Sequence, residues 1–307
     1  MRGLDEARAL YERYGAPMIR ERFAAWEGRI AAGLAGHGSE CFGFDDGLSR
    51  DHDFPEGFCL WLDDEADRAI GVALARAYRA LPFQRAEACS ALSESSRGVQ
   101  RIGAFYQRYT GSEGAPAEPM QWLALPSHAL AEATNGAVFR DDQGLFSAVR
   151  ETLLHGMPED VRRKKLAARV ITMAQAGQYN YPRCVRRGEL GAAMLALTEF
   201  VNAACGAIYL LNRRHMPYYK WQLRGMAGLE RLAGMREALE FLLTGENDEA
   251  GRVVKSGVVE DLCAAVAAEL RTQRLTHGSW DYLEPHAFEI LEHIESPQLR
   301  AMHIMEG

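Results

Sequence analysis

The segment 188–212 most constrains how this chain can fold, because its sequence GELGAAMLALTEFVNAACGAIYLLN places apolar residues on nearly every side of a helix. A helix of this kind has to be surrounded by other elements, as the central helix of a bundle is. Other segments have the apolar periodicity of helices, and Pro or Gly separates several of them: 128–135, 146–155, 159–177, 226–244, 258–274 and 285–294. The sequence therefore predicts an all-α helical bundle as a C-terminal domain over 146–307.

Before residue 146, short apolar runs alternate with helical patterns. The runs at 30–36 and 58–62 have the composition of buried strands, and residues 99–102 and 120–125 are weaker strand candidates. Two segments have helical spacing, 66–80 and 4–27, and the second is interrupted at Gly15-Ala16-Pro17. We therefore expect an α+β N-terminal domain over 1–145, so that the whole chain is of the α+β class.

The composition bounds the function. The chain has 307 residues, enough for two domains, and a formal net charge of −7, which argues against a dedicated duplex-DNA binder. Its six cysteines form no C-x-x-C pair, so we expect free, mostly buried thiols in a reducing compartment. The N-terminus lacks the apolar core of a signal peptide, and no run of about 18 apolar residues is free of charges. These features predict a cytoplasmic protein without a membrane partner.

One stretch has the composition of a catalytic motif, the residues 38–54, GSECFGFDDGLSRDHDF. In it a Gly38-Ser39 pair is followed, after eleven residues, by Asp51-His52-Asp53. If residues 51–54 are extended, Asp51 and Asp53 lie on one face, where two carboxylates are best tolerated when they share a hard cation such as Mg²⁺. The Gly38-Ser39 turn offers backbone N–H groups and a hydroxyl to a phosphate. Together they predict metal-assisted phosphoryl or nucleotidyl transfer.

Simpler interpretations exist for each part of this stretch. Asp-x-Asp is common at strand ends and turns, where most instances are solvated or cap a helix. The His52-Asp53 pair could also belong to an HD-type metal phosphohydrolase with His37 as a further ligand. That chemistry needs helices around His-Asp, and Gly47, Ser49 and Pro55 make this stretch a poor helix.

The stretch resembles the signature of the polymerase-β-type nucleotidyltransferase superfamily, in which a Gly-Ser turn and a short helix precede a strand with two metal-binding Asp residues. More closely, the chain is similar to an uncharacterised bacterial domain-of-unknown-function family in that superfamily, with a helical C-terminal domain. The supporting blocks are GSECFGFDDGLSRDHDF, ATNGAVFRDD at 133–142, AQAGQYNYPRCVRRGEL at 174–190 and LLNRRHMPYYKW at 210–221.

This resemblance implies a mixed sheet with helices and a Mg²⁺-dependent, ATP- or other NTP-binding transferase. Asp51 and Asp53 would bind Mg²⁺, and Gly38 and Ser39 would hold the triphosphate. An acceptor hydroxyl would then attack the α-phosphorus and release pyrophosphate. The acceptor is a small molecule, an RNA end or a protein side chain, and the resemblance does not choose among them.

The superfamily usually adds a third carboxylate from a later strand. The strand-like segment 99–106 holds no Asp or Glu, and no motif assigns the role to Glu94, Asp63 or Asp64. The alternative is therefore a non-catalytic nucleotide-binding or regulatory protein that keeps the fold without a third metal ligand.

Charge is unevenly distributed. Residues 150–224 hold thirteen basic and five acidic residues, a local net charge of +8 that leaves −15 for the rest. We expect Arg162-Arg163-Lys164-Lys165 to be a solvated helix face. The segments 179–183 (YNYPR) and 217–221 (PYYKW) interleave aromatic and basic residues, which we place in loops that could stack a base or could simply join helices. Lys220 is the best candidate for a phosphate contact, and Arg50, beside Asp51, is the next.

Overall fold

The computed structural model describes residues 3–47, 56–83 and 97–307. The chain divides into two compact units, the first formed by Met1–Pro116 and Ala129–Gly156 and the second by Ala117–His128 and Met157–Gly307. The division of the sequence into domains 1–145 and 146–307 stays a prediction. The α+β class with a mixed sheet is confirmed.

The first unit contains a four-stranded sheet of order β3-β2-β1-β4. Strand β1 (Ile30–Leu34) is antiparallel to β2 (Cys59–Leu62) and to β4 (Ala137–Arg140), and β2 is parallel to β3 (Gly98–Arg101). Every residue of β1 and β2 is buried, as expected of apolar runs without alternation. The strands predicted at 30–36, 58–62 and 99–102 are therefore confirmed as elements.

Helices make up most of the rest. Up to residue 156 they are α1 (Gly3–Leu10), α2 (Ala16–Arg22), α3 (Asp64–Ala66), α4 (Val72–Arg79), α5 (Ile102–Thr110), α6 (Pro119–Ala124), α7 (Ser127–Thr134) and α8 (Leu145–His155). After residue 156 they are α9 (Glu159–Met173), α10 (Tyr181–Arg186), α11 (Leu190–Leu211), α12 (Tyr219–Met226), α13 (Met235–Thr244), α14 (Glu249–Thr272), α15 (Leu283–Glu292) and α16 (Pro297–Ala301). Single π turns join α1 to α2, α3 to α4 and α9 to α10: Tyr11–Gly15, Asp67–Gly71 and Ala174–Asn180.

Aromatic side chains form the core of the first unit. The Trp61 ring on β2 stacks on that of Phe146 with 3.8 Å between centroids, and the Tyr106 hydroxyl donates to the Phe146 carbonyl oxygen at 2.8 Å. Phe105 contacts both Trp61 and Phe146 edge-on or at a tilt. The start of α8 is thus packed against the sheet of this unit.

The core of the second unit surrounds α11, as the sequence predicts. Twelve of its 22 residues are buried, against neighbours that include α9, α10, α12 and α14. This helix has the length and mean hydropathy of a membrane span, but 61% of the apolar window is buried inside the protein. A core position accounts for its composition, which fits a soluble protein; the cytoplasmic location stays a prediction.

Several predicted elements are wrong. Residues 120–125 form a helix, because Pro119 occupies its first turn and Glu118 and Gln121 make a capping box. The strand-like pattern of 99–106 ends at Arg101, where α5 begins. The chain does not break at 15–17, since a π turn carries the helix through Pro17. The short strand β4 was not predicted, and it is only half-buried.

The run Arg162–Lys165 is not a solvated face, which corrects the expectation from charge. Arg162 and Lys164 are buried. Each cation of the run is matched to oxygen acceptors: Lys164 Nζ donates to the carbonyl oxygens of Met302 and His303, at 3.2 and 2.6 Å. Arg162 pairs with Glu159 through two hydrogen bonds. These charges hold elements of the second unit together by bonding the ends of other segments.

The cysteines behave as predicted within the described residues. Cys41, Cys59, Cys205 and Cys263 are buried free thiols, and Cys184 is partly buried and free. Burial raises the pKa of Cys41 to about 12, with opposing effects from Arg97 and Glu40, so this thiol is held in its neutral form.

Candidate functional site

The Gly-Ser turn follows β1 directly, as the motif requires. The chain leaves the strand at Leu34 and turns through Gly36 and Gly38, whose φ angles are +114° and +127°. These conformations favour glycine over any L residue. A Cβ at Gly36 would also lie 2.7 Å from the hydroxyl oxygen of Tyr109. A short 3₁₀ helix, Glu40–Phe42, comes next, as the resemblance implies for this position.

The side chain of Asn135 fixes the start of the turn. Its Oδ1 accepts a hydrogen bond from the N–H of Gly36, and its Nδ2 donates to the carbonyl oxygen of Gly36, both at 2.8 Å. The next residue, Gly136, donates its N–H to the carbonyl oxygen of Cys41 at 2.8 Å. The blocks at 38–54 and 133–142 thus meet around one turn of the first unit.

A buried ion pair lies under the turn. The Arg97 guanidinium donates a hydrogen bond to Glu40 Oε1, and both residues are buried. Arg97 also lies 3.8 Å from Cys41 Sγ. Burial opposes the charge of Arg97, but the paired Glu40 carboxylate favours it, and the pKa of Arg97 stays above the ordinary value. This pairing neutralises the one carboxylate that the 3₁₀ helix brings close to Gly38.

The turn leaves donors available on its surface. Gly38 and Ser39 are partly exposed, and no described residue accepts a hydrogen bond from their N–H groups or bonds the Ser39 hydroxyl. The carbonyl oxygen of Ser39 accepts from Phe42 and Phe44, at 3.1 and 2.9 Å, so the peptide is fixed while its donors stay accessible. Such a geometry suits a phosphate oxygen.

Asp51, Asp53 and Arg50 lie outside the described residues, so their predicted roles stay predictions. The described chain ends at Gly47 on one side and resumes at Glu56, three residues before β2.

The described carboxylates nearest in sequence to the motif have other partners. Asp63 caps the N-terminus of α3 and bonds Arg29 twice at 2.9 Å. Asp64 pairs with Arg101 at 2.9 Å. Over the ranges 3–47, 56–83 and 97–307, no three His, Cys, Asp or Glu side chains are grouped as metal ligands. Glu94 is among the residues that are not described.

The aromatic and basic residues of 179–183 lie in helical structure, which corrects their placement in a loop. Tyr179 belongs to the π turn after α9, and Arg183 to α10. The Arg183 guanidinium lies over the half-exposed Tyr179 ring at 4.6 Å, whereas Tyr181 is buried in the core. Tyr179 is thus on the surface, whereas Tyr181 packs in the core between helices.

The second such segment, 217–221, is helical from Tyr219 onward, where α12 begins. Lys220 is exposed, and its Nζ lies 5.3 Å from the centre of the Trp221 ring. Tyr218 and Tyr219 are exposed with 4.5 Å between ring centroids, and His128 contacts Tyr218 edge-on. This surface of the second unit therefore combines exposed tyrosine rings with the exposed ammonium of Lys220.

Residues 122–222 match the family model of a domain of unknown function (DUF4037). The chain matches no curated protein and no solved structure at a significant level. The matched residues include β4, Asn135 and Lys220. The comparison supports an uncharacterised domain family across about a third of the chain.

Sequence reasoning missed two features of the turn. Asn135 lies in the segment 133–142, which supported the family resemblance, but the neighbouring residues gave no sign that its side chain contacts residue 36. Arg97 follows a Ser-rich stretch, and its pairing with Glu40 across 57 positions has no local signal. Two glycines flanking the turn, Gly36 and Gly136, were the available hint, since closely packed backbone often requires glycine.

Proposed function

We propose that this protein is a Mg²⁺-dependent nucleotidyltransferase that binds a nucleoside triphosphate at the Gly38-Ser39 turn. It would transfer the nucleoside monophosphate to a hydroxyl acceptor and release pyrophosphate. The observation that carries the proposal is the turn itself: two glycines have positive φ after a buried strand, and the N–H groups of Gly38 and Ser39 bond no described residue.

The chain's own residues prepare this turn for an anion. Asn135 bonds both the N–H and the carbonyl oxygen of Gly36, so the turn is already ordered. Phosphate binding would therefore not have to offset the entropy of ordering it. Arg97 cancels the charge of Glu40, which would otherwise repel a phosphate. The N–H groups of Gly38 and Ser39 and the Ser39 hydroxyl would then donate to phosphate oxygens.

The donor set for the metal fits Mg²⁺ by its chemistry, since Asp51 and Asp53 supply the carboxylate oxygens that Mg²⁺ prefers. When bound, Mg²⁺ would neutralise phosphate charge and polarise the phosphorus–oxygen bonds. Arg50 is the side chain that we propose for a further contact with the phosphates, and the phosphate contact of Lys220, in the second unit, stays a prediction. The acceptor is left open among a small molecule, an RNA end and a protein hydroxyl.

A second candidate is a nucleotide-binding or regulatory protein without catalysis. It is favoured by one specific observation: Asp63 and Asp64, the acidic residues at the end of β2, are engaged with Arg29 and Arg101. Such a protein would bind the triphosphate at the same turn and leave it intact.

Titration of the full-length protein with ATP or another NTP and Mg²⁺ tests the turn. We expect Gly38→Ala to abolish binding, because its Cβ would meet the Glu40 carboxylate at 2.3 Å and because φ is +127°. Ser39→Ala should weaken binding by about tenfold, the loss of one hydrogen bond to a charged group.

Gly114→Ala is the matched control, since a Cβ there meets nothing within 4 Å, and it should leave affinity unchanged. Circular dichroism of Gly38→Ala separates a local loss from unfolding. Equal affinity for the wild type, Gly38→Ala and Ser39→Ala would refute binding at this turn.

A further inference from the structure

The second unit holds a buried lysine whose ammonium has no partner. Lys255 on α14 is 0% exposed, and its Nζ makes no hydrogen bond to any residue of the described chain. Burial lowers the pKa of Lys255. An ammonium that is taken out of water without a counter-charge or acceptor costs several kcal/mol. The other buried lysine of this unit, Lys164, bonds two carbonyl oxygens.

Two more buried donors belong to the same neighbourhood. The Tyr181 hydroxyl on α10 and Arg252 Nε on α14 are buried, and neither has a hydrogen-bond partner among the described residues. Arg252 precedes Lys255 by three positions, so the two side chains project from the same side of α14. Arg252 acts electrostatically on the Tyr181 hydroxyl, where burial raises the pKa and Arg252 lowers it.

The π turn that precedes Tyr181 packs on α14, the helix that carries these cations. A Cβ at Gly177 would lie 2.9 Å from Cγ1 of Val259, so the chain contacts α14 there. Tyr181 follows Gly177 by one helical turn, and Lys255 precedes Val259 by one turn. Helix α10, which begins at Tyr181, also packs on α14. The influence of Arg252 on the Tyr181 pKa agrees with Tyr181 lying at this contact.

We propose that Lys255, Arg252 and Tyr181 form a binding site for a phosphate-class oxyanion. An ammonium, a guanidinium N–H and a phenol are three buried, unsatisfied donors on two helices that pack together, and such donors complement the oxygens of a tetrahedral anion. The hydrogen bond from Arg252 Nη1 to the Asn247 carbonyl oxygen, at 2.6 Å, orients the Arg252 guanidinium. Arg252 is only partly buried, which gives the cluster a side toward the surface.

This site is independent of the Gly-Ser turn. All of its residues belong to the second unit, and none belongs to the motif at 38–54. The bound group is a free phosphate or the phosphoryl group of a nucleotide, and the two sources share the same chemistry at the three donors.

Calorimetric titration of the full-length protein with inorganic phosphate, at constant ionic strength, tests the site. Adenosine monophosphate is titrated separately. We expect Lys255→Met to weaken binding of the recognised ligand at least tenfold, as the loss of a charge-assisted hydrogen bond predicts. Tyr181→Phe, which keeps the ring in the core, should weaken it several-fold. Arg300→Met, which removes an exposed cation of the same unit outside both proposed sites, should bind like the wild type.

The stability of Lys255→Met in phosphate-free buffer provides a second readout. Methionine replaces an unpaired buried charge with an apolar chain of similar length, so the midpoint of thermal unfolding should stay equal or rise. The phosphate concentration that raises the wild-type midpoint by about 5 °C should raise that of Lys255→Met clearly less, because its affinity is weaker.

Binding of phosphate alone identifies a free-anion site, and binding of adenosine monophosphate alone identifies a nucleotide phosphoryl site. The proposal is overturned if neither ligand binds the wild type, or if Lys255→Met and Tyr181→Phe bind as tightly as the wild type does.

Discussion

Single residues decide the geometry of the candidate phosphate site. The side-chain amide of Asn135 accepts a hydrogen bond from the N–H of Gly36 and donates one to its carbonyl oxygen. These two bonds take the place of the strand pairing, which ends at Leu34. We expect Asn135→Ala to lower the free energy of unfolding by about 1–3 kcal/mol, since it leaves a buried N–H and C=O without their partner. Urea denaturation measures this loss. Asn180→Ala, at an exposed position, is the control and should change stability by less than about 0.5 kcal/mol.

The Glu40–Arg97 pair should be strongly coupled, because each charge is buried with the other as its partner. Arg97→Met should destabilise the protein by about 3–5 kcal/mol, as an uncompensated carboxylate remains in the interior. The double variant Glu40→Gln, Arg97→Met should recover part of that loss. A double-mutant cycle measured by urea unfolding gives the coupling; additive effects would show that the pair is not a unit.

Lys165 should make stability depend on pH. Its Nζ donates to the carbonyl oxygens of Leu123 and Leu125, at 2.7 and 3.0 Å, and burial, with a contribution from Arg169, lowers its pKa to about 8. An unfolded lysine keeps its proton to about pH 10.4, so between pH 8 and 10 the unfolded state binds more protons. The contribution of Lys165 to folding stability therefore rises with pH across this window.

We expect the unfolding free energy of the wild type, minus that of Lys165→Met, to increase by about 1 kcal/mol per pH unit from pH 8 to 10. The same difference for the exposed Lys220→Met should be flat. Parallel pH profiles for the wild type and Lys165→Met would contradict the assignment.

At the scale of elements, the π turn between α9 and α10 is held by close packing. A Cβ at Gly177 would lie 2.3 Å from the ring of Phe200 on α11 and 2.9 Å from Val259 on α14. We expect Gly177→Ala to lower the free energy of unfolding by about 1–3 kcal/mol through overpacking. Gly257→Ala on α14, where a Cβ meets nothing within 4 Å, should instead raise it by about 0.5–1 kcal/mol. If both substitutions stabilise the protein, the close packing at Gly177 is refuted.

Element prediction succeeded where one local signal dominated. Helix α11 is apolar on nearly every side, and β1 and β2 are short apolar runs. These elements were predictable because a central helix and a buried strand are the structures that bury such residues. It failed where local signals competed: residues 120–125 look like a strand, but Pro119 and the Glu118–Gln121 capping box start a helix there. The strand β4 has only four residues, and its pairing with β1 is not local.

At the scale of the whole molecule, charge counting misjudged the second unit. The run Arg162–Lys165 suggested a solvated face, whereas Arg162 and Lys164 are buried and bonded to oxygen acceptors. A count of charges cannot predict this burial, because it contains no information on which backbone carbonyl groups lie near each cation in the folded chain. The position of the Gly-Ser turn was predictable from the motif, but its support by Asn135 and Arg97 depends on contacts across many residues.

Pyrophosphate release shows directly whether the motif at 38–54 binds a nucleoside triphosphate for nucleotidyl transfer. The full-length protein is incubated with each labelled NTP, Mg²⁺ and a panel of small-molecule, RNA and protein acceptors. We expect pyrophosphate release with at least one acceptor. It should be abolished in Asp51→Asn and in Asp53→Asn and retained in Gly114→Ala. Triphosphate binding without pyrophosphate release would support the non-catalytic alternative. Release that persists in the Asp51→Asn, Asp53→Asn double variant, or no triphosphate binding at all, would contradict the account.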